Sequence, residues 1–414
     1  MMIERNISKN LIAALSDRPV VLLNGARQTG KSTLAQWIGR QRSLSYLTLD
    51  DVTVLSSARK DPAGFISELQ GGVILDEVQR APELFLAIKA EVDRNRVAGR
   101  FLLTGSANIF LLPKISEYLV GRMEILTLWP LSQDELQSRR AVFIDGAFSE
   151  KFPLITDPEL NRKSLIGRLA AGGYPEVQFL SPADRRKAWF SSYVTTLVQR
   201  DVRDLSNVEG LHEMPRLLSL LAAQSASLLN VSELSRNTGL PQMTLKRYLT
   251  LLQATFLVHL VPAWFGNIGK RLIKSPRVYL NDAGLLTYLN GMDTGRLLES
   301  PEKMGHILEN FVVAELMKQI TWSQTQPRVF YYRTAAGQEV DVVLENAAGK
   351  IVGIEVKSAA TVTARDFKGL QDLSAALGER FLRGLLLYPG PNTVPFGNKL
   401  YAVPLSALWK LVAE

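Results

Sequence analysis

The residues whose types and spacing could do chemistry begin where an apolar run ends at Gly25. Residues 25–32 follow the pattern G-x-x-x-x-G-K-S and open a segment with helical spacing. In this pattern backbone N–H groups and the helix N-terminus bind phosphates, the lysine meets the β- and γ-phosphates, and the serine binds magnesium. The predicted ATP- and Mg²⁺-binding loop therefore consists of Gly25, Ala26, Arg27, Gln28, Thr29, Gly30, Lys31, Ser32 and Thr33.

Two acids, Asp76 and Glu77, follow a second apolar run, Val73-Ile74-Leu75. Phosphoryl transfer needs charge neutralisation and a placed nucleophile more than it needs covalent help. Asp76 is predicted to hold magnesium through water, and Glu77 is predicted to polarise the attacking water. The alternative is that the two acids only cap a strand.

Two further features carry predicted catalytic roles. A third apolar run ends in Thr104-Gly105-Ser106, and Thr104 or Ser106 is predicted to sense the γ-phosphate. Arg122, after Gly121, is predicted to act as an arginine finger on its own nucleotide or on that of a neighbouring subunit, which leaves a homo-oligomer open. A plain surface arginine is the alternative.

The elements that must position these residues are strands alternating with helices. Such alternation predicts a parallel sheet with right-handed crossovers, and ligands bind at the carboxyl ends of its strands. Because the phosphate loop, the acidic pair and the Thr104–Ser106 stretch all follow apolar runs, we expect them to meet at one edge of the sheet.

Composition limits the class of protein. The 414 residues exceed one ordinary core, because a domain averages about 150 residues. The absence of cysteine excludes disulfides, thiolate zinc sites and cysteine nucleophiles. The start lacks a signal-peptide layout, and the apolar run 254–265 is too short and Pro-interrupted to span a bilayer, so we expect a cytoplasmic protein without a membrane partner.

Positive charge is concentrated in residues 231–280, which hold seven basic side chains against Glu233 alone. Helical spacing, a turn at Thr238-Gly239-Leu240 and Pro241 at the start of a second helix predict a helix-turn-helix, with Ser232 as the cap of the first helix. The strand-like 256–263 and the basic 269–277 are predicted to form a wing. DNA is the predicted partner, with four side chains on the recognition helix: Gln242, Thr244, Lys246 and Arg247. A winged helix that packs only on protein is the alternative.

A second group of candidate residues lies near the C-terminus. A helix from Pro301 carries Glu309, and strands follow over 328–333, 339–345 and 350–358. Residues i and i+2 of a strand share a face, so Glu355 and Lys357 point together, and an antiparallel neighbour can place Asp341 beside them. Glu309, Asp341 and Glu355 are the predicted metal ligands, and Lys357 is predicted to steady charge in phosphodiester cleavage. A salt-bridged sheet edge is the alternative.

The order of these parts resembles the bacterial and archaeal ATP-binding proteins that join an AAA-type ATPase domain to the C-terminal region DUF4143. The resemblance covers nearly the whole chain and implies ATP binding and hydrolysis. Its other motifs include Gly172-Gly173-Tyr174-Pro175, Arg200-Asp201-Val202, Lys274–Tyr279, Asp282–Leu285 and Gly305–Glu315. The last three strands separately resemble the PD-(D/E)XK nucleases, although no proline precedes Asp341 in Glu-Val-Asp.

The predicted fold class is α/β, with a P-loop NTPase parallel sheet followed by a helical and winged-helix domain and an α/β nuclease-like domain. The predicted domains are residues 1–140, 141–300 and 301–414. We expect an ATPase that couples nucleotide state to DNA binding or processing. The alternative is a nucleotide-gated regulator or scaffold with an inactive nuclease-like domain.

Overall fold

A computed structural model describes residues 3–108, 119, 121–197, 211–266 and 274–412. The chain forms two compact units, Met1–Pro130 with Leu249–Leu257 and Leu131–Tyr248 with Val258–Glu414. Among the described residues, every helix is too short or too polar to cross a membrane.

The first unit is built on a five-stranded parallel sheet in the order β2-β3-β4-β1-β5, which confirms the predicted parallel sheet. Its strands are β1 (Val20–Asn24), β2 (Ser45–Thr48), β3 (Val73–Asp76), β4 (Phe101–Gly105) and β5 (Met123–Thr127). Its helices are α1 (Ser8–Asp17), α2 (Lys31–Arg42), α3 (Val52–Lys60), α4 (Pro62–Glu68) and α5 (Leu84–Arg94).

Strands β1, β3 and β4 are buried along their whole length, as continuous apolar runs covered on both faces require. One face packs on α5 through Phe85 and Ile88, and the other packs on α1 and α2 through Leu11 and Ile38. Because β4 lies between β1 and β3, the carboxyl ends of these three strands are neighbours.

The second unit begins with helices and a two-stranded antiparallel sheet. Before Gly239, its described helices are α6 (Phe143–Phe148), α7 (Arg162–Ala171), α8 (Ala183–Thr196), α9 (Met214–Ala223) and α10 (Val231–Thr238). Helix α11 (Gln242–Ala254) contributes residues to both units. The small sheet pairs β6 (Val258–Val261) with β7 (Arg277–Leu280) and is followed by α12 (Ala283–Leu289), α13 (Thr294–Glu299) and α14 (Pro301–Ile320).

The remainder forms a six-stranded mixed sheet in the order β12-β13-β11-β10-β9-β8. The three predicted strands correspond to the antiparallel run of β8, β9 and β10, and the sheet continues with β11 parallel to β10 and β13 parallel to β11. The elements are β8 (Arg328–Arg333), β9 (Glu339–Glu345), β10 (Ile351–Val356), α15 (Lys368–Leu377), β11 (Phe381–Tyr388), β12 (Val394–Pro395), β13 (Leu400–Pro404) and α16 (Ala407–Lys410). Helix α15 covers this sheet with Leu370 and Leu373.

Two of the sequence motifs that are far apart in the chain meet in the second unit. Asp282 accepts a hydrogen bond from the N–H of Gly173 at 2.6 Å and also caps α12 through Leu285. A Cβ at Gly172, which has φ +66°, would lie 2.2 Å from a carboxylate oxygen of Asp282. These motifs therefore fix a packed corner of the fold.

Candidate functional site

The predicted phosphate loop connects buried β1 to the first residue of α2, Lys31. Gly30 has a left-handed backbone with φ +93°, and Gly25 has φ +146°. A Cβ at Gly25 would lie 2.2 Å from the carbonyl oxygen of Leu128, so the close approach of these two chains requires glycine. The loop therefore has the tight curvature that points backbone N–H groups at an anion.

Arg5 holds the loop from outside it, a role that the sequence analysis missed. Its guanidinium is buried and donates to the carbonyls of Thr29 at 2.7 Å and Trp129 at 2.6 Å. Thr29 also turns its hydroxyl back to the carbonyl of Ala26 at 2.9 Å. An arginine ahead of α1 carries no motif, so no sequence signal identified it.

Removing this support is expected to loosen the loop. Arg5→Ala leaves two carbonyls without a charged donor, at a cost of about 1–3 kcal/mol. We expect a roughly tenfold weaker affinity for an ATP analogue, measured by calorimetry, because the loop must then be ordered on binding. Arg40→Ala, a change on an exposed face of α2, is the matched control and should leave the affinity unchanged. Equal affinities in both variants would contradict the role of Arg5.

Lys31 and Ser32 lie at the start of α2, as the motif requires. The ammonium of Lys31 donates to the carbonyl of Ala26 at 2.8 Å and is therefore held on the loop. The hydroxyl of Ser32 donates to Oδ1 of Asp76 at 2.9 Å. The phosphate loop and the acidic pair thus meet, and a serine hydroxyl beside a carboxylate supplies the hard oxygen ligands that magnesium prefers.

Two neighbouring hydroxyls fix the carboxylate of Asp76. Tyr46, on β2, donates to Oδ2 at 2.7 Å, and Thr104, on β4, donates to Oδ1. Burial, with Asp76 beside it, raises the pKa of Tyr46 to about 12, so the phenol keeps its proton and remains a donor. Tyr46 was not predicted, because a tyrosine within a strand is ordinarily a packing residue.

Glu77 is placed by its backbone and by two side chains. Its φ of +60° is left-handed, a conformation that costs a non-glycine residue about 1–3 kcal/mol. Ser106 donates to its carboxylate at 3.2 Å, and Gln79 donates both to Glu77 and to the hydroxyl of Ser106, the latter at 2.9 Å. The predicted base and the predicted sensor are therefore in direct contact, and Gln79 joins them.

Arg122 lies at the other end of the sheet from the phosphate loop. It precedes β5, whose parallel register with β1 pairs Met123 with Val20 and Thr127 with Asn24. The loop begins after Asn24, so the length of a five-residue strand, roughly 15 Å, separates the two. The guanidinium makes two contacts with Asp93, at 2.5 and 3.0 Å. This position contradicts action on a nucleotide of the same chain, and action on a neighbouring subunit stays a prediction.

The predicted C-terminal group of acids is assembled in the second unit around Arg277. This buried guanidinium lies 2.8 Å from Glu309 and 3.3 Å from Asp341, and it also pairs with Glu339. Tyr279 donates to the same oxygen of Glu309 at 2.7 Å. Helix α14 and strands β7 and β9 therefore converge on one cation that the protein itself supplies.

The metal ion shared by Glu309, Asp341 and Glu355 stays a prediction, and this arrangement places a competing cation at the site. Arg277 lies against two of the three, and the second oxygen of Asp341 accepts from the N–H of Val356 at 3.0 Å. Within the described residues, no group of three or more His, Cys, Asp or Glu side chains is placed to hold a metal ion. The sequence placed these acids together but gave no sign that an arginine some thirty residues before Glu309 would enter the group.

Glu355 lies in β10 and Lys357 directly follows that strand, and their side chains point to the same face, as the i, i+2 spacing predicts. The distance between Nζ of Lys357 and Oε1 of Glu355 is 2.9 Å. Oε2 of Glu355 is buried and makes no hydrogen bond. Burial, reinforced by repulsion from Asp341, raises the pKa values of Glu355 and Glu309. These two carboxyls therefore hold protons at a pH where an exposed glutamate has lost them.

The raised pKa values predict a pH-dependent stability of the second unit. The folded state binds more protons than the unfolded chain once the pH exceeds an ordinary Glu pKa of about 4.3, so the free energy of unfolding should fall as the pH rises through the raised pKa. Glu355→Gln, which stays neutral, should reduce this slope, measured as urea midpoints at about pH 5 and about pH 8. Glu379→Gln, at an exposed position, should keep the wild-type slope. A wild-type slope in Glu355→Gln would refute the prediction.

The predicted helix-turn-helix segment forms two helices, α10 and α11, separated by Gly239 with φ +75°. Its first helix is capped by Asn230, whose side chain accepts from the N–H of Glu233 at 3.1 Å, so the prediction of a Ser232 cap was wrong. On α11 three of the predicted contact residues are exposed and Thr244 is half-buried; the exposed ones are Gln242, Lys246 and Arg247. Strands β6 and β7 cover part of the segment predicted to form the wing. Two basic residues of that segment, Lys270 and Arg271, lie outside the described residues. The motif Arg200-Asp201-Val202 also lies outside them.

The parallel sheet and the loop geometry of the first unit resemble those of a P-loop ATPase domain. A family model described as an AAA domain matches residues 17–137, and this match supports nucleotide binding. Models of two domains of unknown function match the rest, DUF8612 over residues 162–296 and DUF4143 over residues 304–408.

Relatives extend the similarity to the whole chain. An uncharacterized protein of Mycobacterium tuberculosis is 32% identical over 408 residues, which are 98% of this chain and 84% of the relative. The chain therefore belongs to the same family as this mycobacterial protein. An uncharacterized protein of Methanocaldococcus jannaschii is 21% identical over 381 residues, covering 88% of this chain and 81% of the relative.

Two solved structures are also similar. A Walker-type ATPase of Pyrococcus abyssi aligns with a TM-score of 0.42 at 15% identity, over 70% of this chain and 96% of that one. The RuvB Holliday junction branch migration motor of Thermotoga maritima aligns with a TM-score of 0.30 at 18% identity, over 62% of this chain and 89% of that one.

Proposed function

We propose that this protein is an ATPase that couples its nucleotide state to DNA binding. The observation that carries the ATPase part is the 2.9 Å contact between Ser32 and Asp76, which brings the phosphate loop to the acidic pair. Ser32 and Asp76 are the residues that would hold Mg²⁺, which would neutralise phosphate charge when bound. Glu77, oriented by Ser106 and Gln79, positions the attacking water.

Three parts divide this work: residues 1–140 hold the nucleotide, 141–300 contact DNA, and 301–414 support the contact region. The separate family matches over 17–137, 162–296 and 304–408 support this division. For the DNA part, the support is the exposed basic face of α11 with Lys246 and Arg247 beside an antiparallel strand pair. A cytoplasmic homo-oligomer, in which Arg122 reaches a neighbour's nucleotide, is the setting we propose.

The second candidate is a nucleotide-gated regulator or scaffold whose nuclease-like sheet does no chemistry. The position of Arg277 among Glu309, Glu339 and Asp341 favours this reading of the C-terminal sheet. A guanidinium already contacts these acids, and an ion would have to displace it. We therefore propose no cleavage by this group.

Coupling is tested by the affinity for a labelled DNA duplex with and without a non-hydrolysable ATP analogue. Allosteric coupling of about 1–3 kcal/mol predicts a change of at least about fivefold. Lys31→Ala should lose this dependence while keeping the affinity measured without nucleotide. Lys246→Ala/Arg247→Ala should weaken the affinity and lower its salt dependence by a slope of about 2. If the wild-type protein has the same DNA affinity with and without the analogue, the coupling is refuted.

A further inference from the structure

A cavity of about 620 Å³ lies in the second unit at the end of β8. Its wall combines two cations, Lys274 and Arg333, with two aromatic rings, Phe265 and Tyr331, and with small or aliphatic residues such as Leu228. Its volume falls within the roughly 300–1,000 Å³ of small-molecule sites. None of these residues belongs to the phosphate loop or to the acids around Arg277.

Backbone hydrogen bonds fix the wall of this cavity. The N–H of Trp264 donates to the carbonyl of Tyr331 at 2.6 Å, and the N–H of Tyr331 donates to the carbonyl of Pro262 at 3.1 Å. The phenol of Tyr331 donates to the carbonyl of Ser275 at 2.6 Å. The segments that follow β6 and precede β7 are therefore joined to β8, and the cavity is formed before any ligand binds.

Charge and shape together limit the ligand. The side chain of Lys274 is exposed. The guanidinium of Arg333 lies 3.0 Å from Glu339 through Nε, and its terminal N–H groups can donate to a second anion. Among the described residues that line the cavity, none is acidic. The remaining lining is mostly aromatic or aliphatic, with the hydroxyls of Ser275 and Thr334. A flat, largely apolar group that carries a phosphate fits both features.

We propose that this cavity binds one nucleotide unit, with the base against Phe265 and the phosphate at Lys274 and Arg333. The unit comes either from single-stranded DNA or from a free mononucleotide. A base paired in a duplex has its faces stacked on its neighbours, whereas an unpaired base can stack on aromatic side chains such as Phe265. The inference rests on the proposed DNA binding and adds to it a separate site for an unpaired strand beside β6 and β7.

The test is fluorescence anisotropy of a labelled twelve-nucleotide oligothymidylate with the full-length protein. Lys274→Ala/Arg333→Ala should weaken binding at least about tenfold and lower the slope of log affinity against log salt by about 1.4, since each phosphate contact contributes about 0.7. Phe265→Leu should weaken binding about fivefold or more through lost stacking. The matched control, Arg185→Ala/Lys187→Ala, removes the same charge from exposed positions of α8 and should stay within about twofold of the wild type.

Competition separates the two sources of the nucleotide. Displacement of the oligonucleotide by thymidine monophosphate, but not by inorganic phosphate, supports a site that a free mononucleotide also fills. Resistance to the monophosphate, together with loss of binding in the cavity variants, supports a site for a strand. Equal affinities in the cavity and control variants, or wild-type protein that binds neither probe, overturns the cavity site.

The same variants test the proposed DNA contact on α11 independently of the cavity site. If Lys246→Ala/Arg247→Ala abolishes duplex binding while the cavity variants bind the oligonucleotide like the wild type, only the cavity inference is lost. If the cavity variants alone lose the oligonucleotide and duplex binding is absent, the cavity stands and the α11 contact is lost. Because Lys274 is exposed and the side chain of Arg333 is 45% exposed, both cavity substitutions should leave the fold intact.

Discussion

Lys31→Ala is expected to lower ATP turnover at least about 10²-fold, the usual effect of removing one preorganised donor to transition-state charge. The ammonium is buried and held at the loop by the carbonyl of Ala26, so it contributes charge at a fixed position beside Ser32 and Asp76. Alanine removes that charge without filling its place. Phosphate release at saturating ATP and Mg²⁺ measures the effect.

Two comparisons make this result specific to the loop. Lys60→Ala removes a lysine at the exposed end of α3 and should keep wild-type turnover. Thermal unfolding of Lys31→Ala should match the wild type closely, because the hydrogen bond to Ala26 that it removes lies in the loop and not in the packed sheet. Turnover within twofold of the wild type in Lys31→Ala would sink the assignment of the loop as the site of hydrolysis.

Arg277→Ala is expected to destabilise the second unit by about 3–5 kcal/mol, the cost of leaving buried charges without a partner. The side chain of Arg277 is 6% exposed, and those of Glu309 and Asp341 are 13% and 14% exposed. Its removal leaves Asp341 without this countercharge and Glu309 without this hydrogen-bond donor. The midpoint of the corresponding urea transition, followed by circular dichroism, measures the loss.

An ion pair with an exposed cation in the same unit provides the control. Arg328, whose side chain is 68% exposed, lies 3.2 Å from the buried Glu345. Arg328→Ala should cost no more than about 1 kcal/mol, because solvent screens the exposed guanidinium and Arg380 still lies 2.9 Å from Glu345. If Arg277→Ala does not fold, Arg277→Lys keeps the charge with fewer donors and should show a smaller loss. Equal losses for Arg277→Ala and Arg328→Ala would contradict a stabilising role of the buried cation.

Local spacing was sufficient to predict the parts of the first unit that bind phosphate. A buried strand, a G-x-x-x-x-G-K-S turn and a following helix are contiguous in the chain, so the sequence predicted them together, and the parallel sheet followed from the alternation of strands and helices. The contact of Ser32 with Asp76 confirms the expectation that these motifs meet at one sheet edge. The strand periodicity of β10 likewise predicted that Glu355 and Lys357 share a face.

Long-range contacts explain what the sequence analysis missed. Arg5 and Thr29 are 24 residues apart, and Tyr46 and Asp76 are 30 apart, with no spacing rule to connect them. Sheet order decided that Arg122 lies at the amino end of β5, because a strand's direction is set only when it pairs with its neighbours.

The C-terminal group shows the same division between sequence and tertiary structure. Residue types and strand spacing determined that Asp341, Glu355 and Lys357 would lie near one another, since that depends on the pleat and on one hairpin. Whether a protein cation lies beside Asp341 depended on what packs against the hairpin. Only the tertiary structure places Arg277 of β7 there, because the pairing of β7 with β6 and the packing of α14 carry it across more than sixty residues of chain to Asp341.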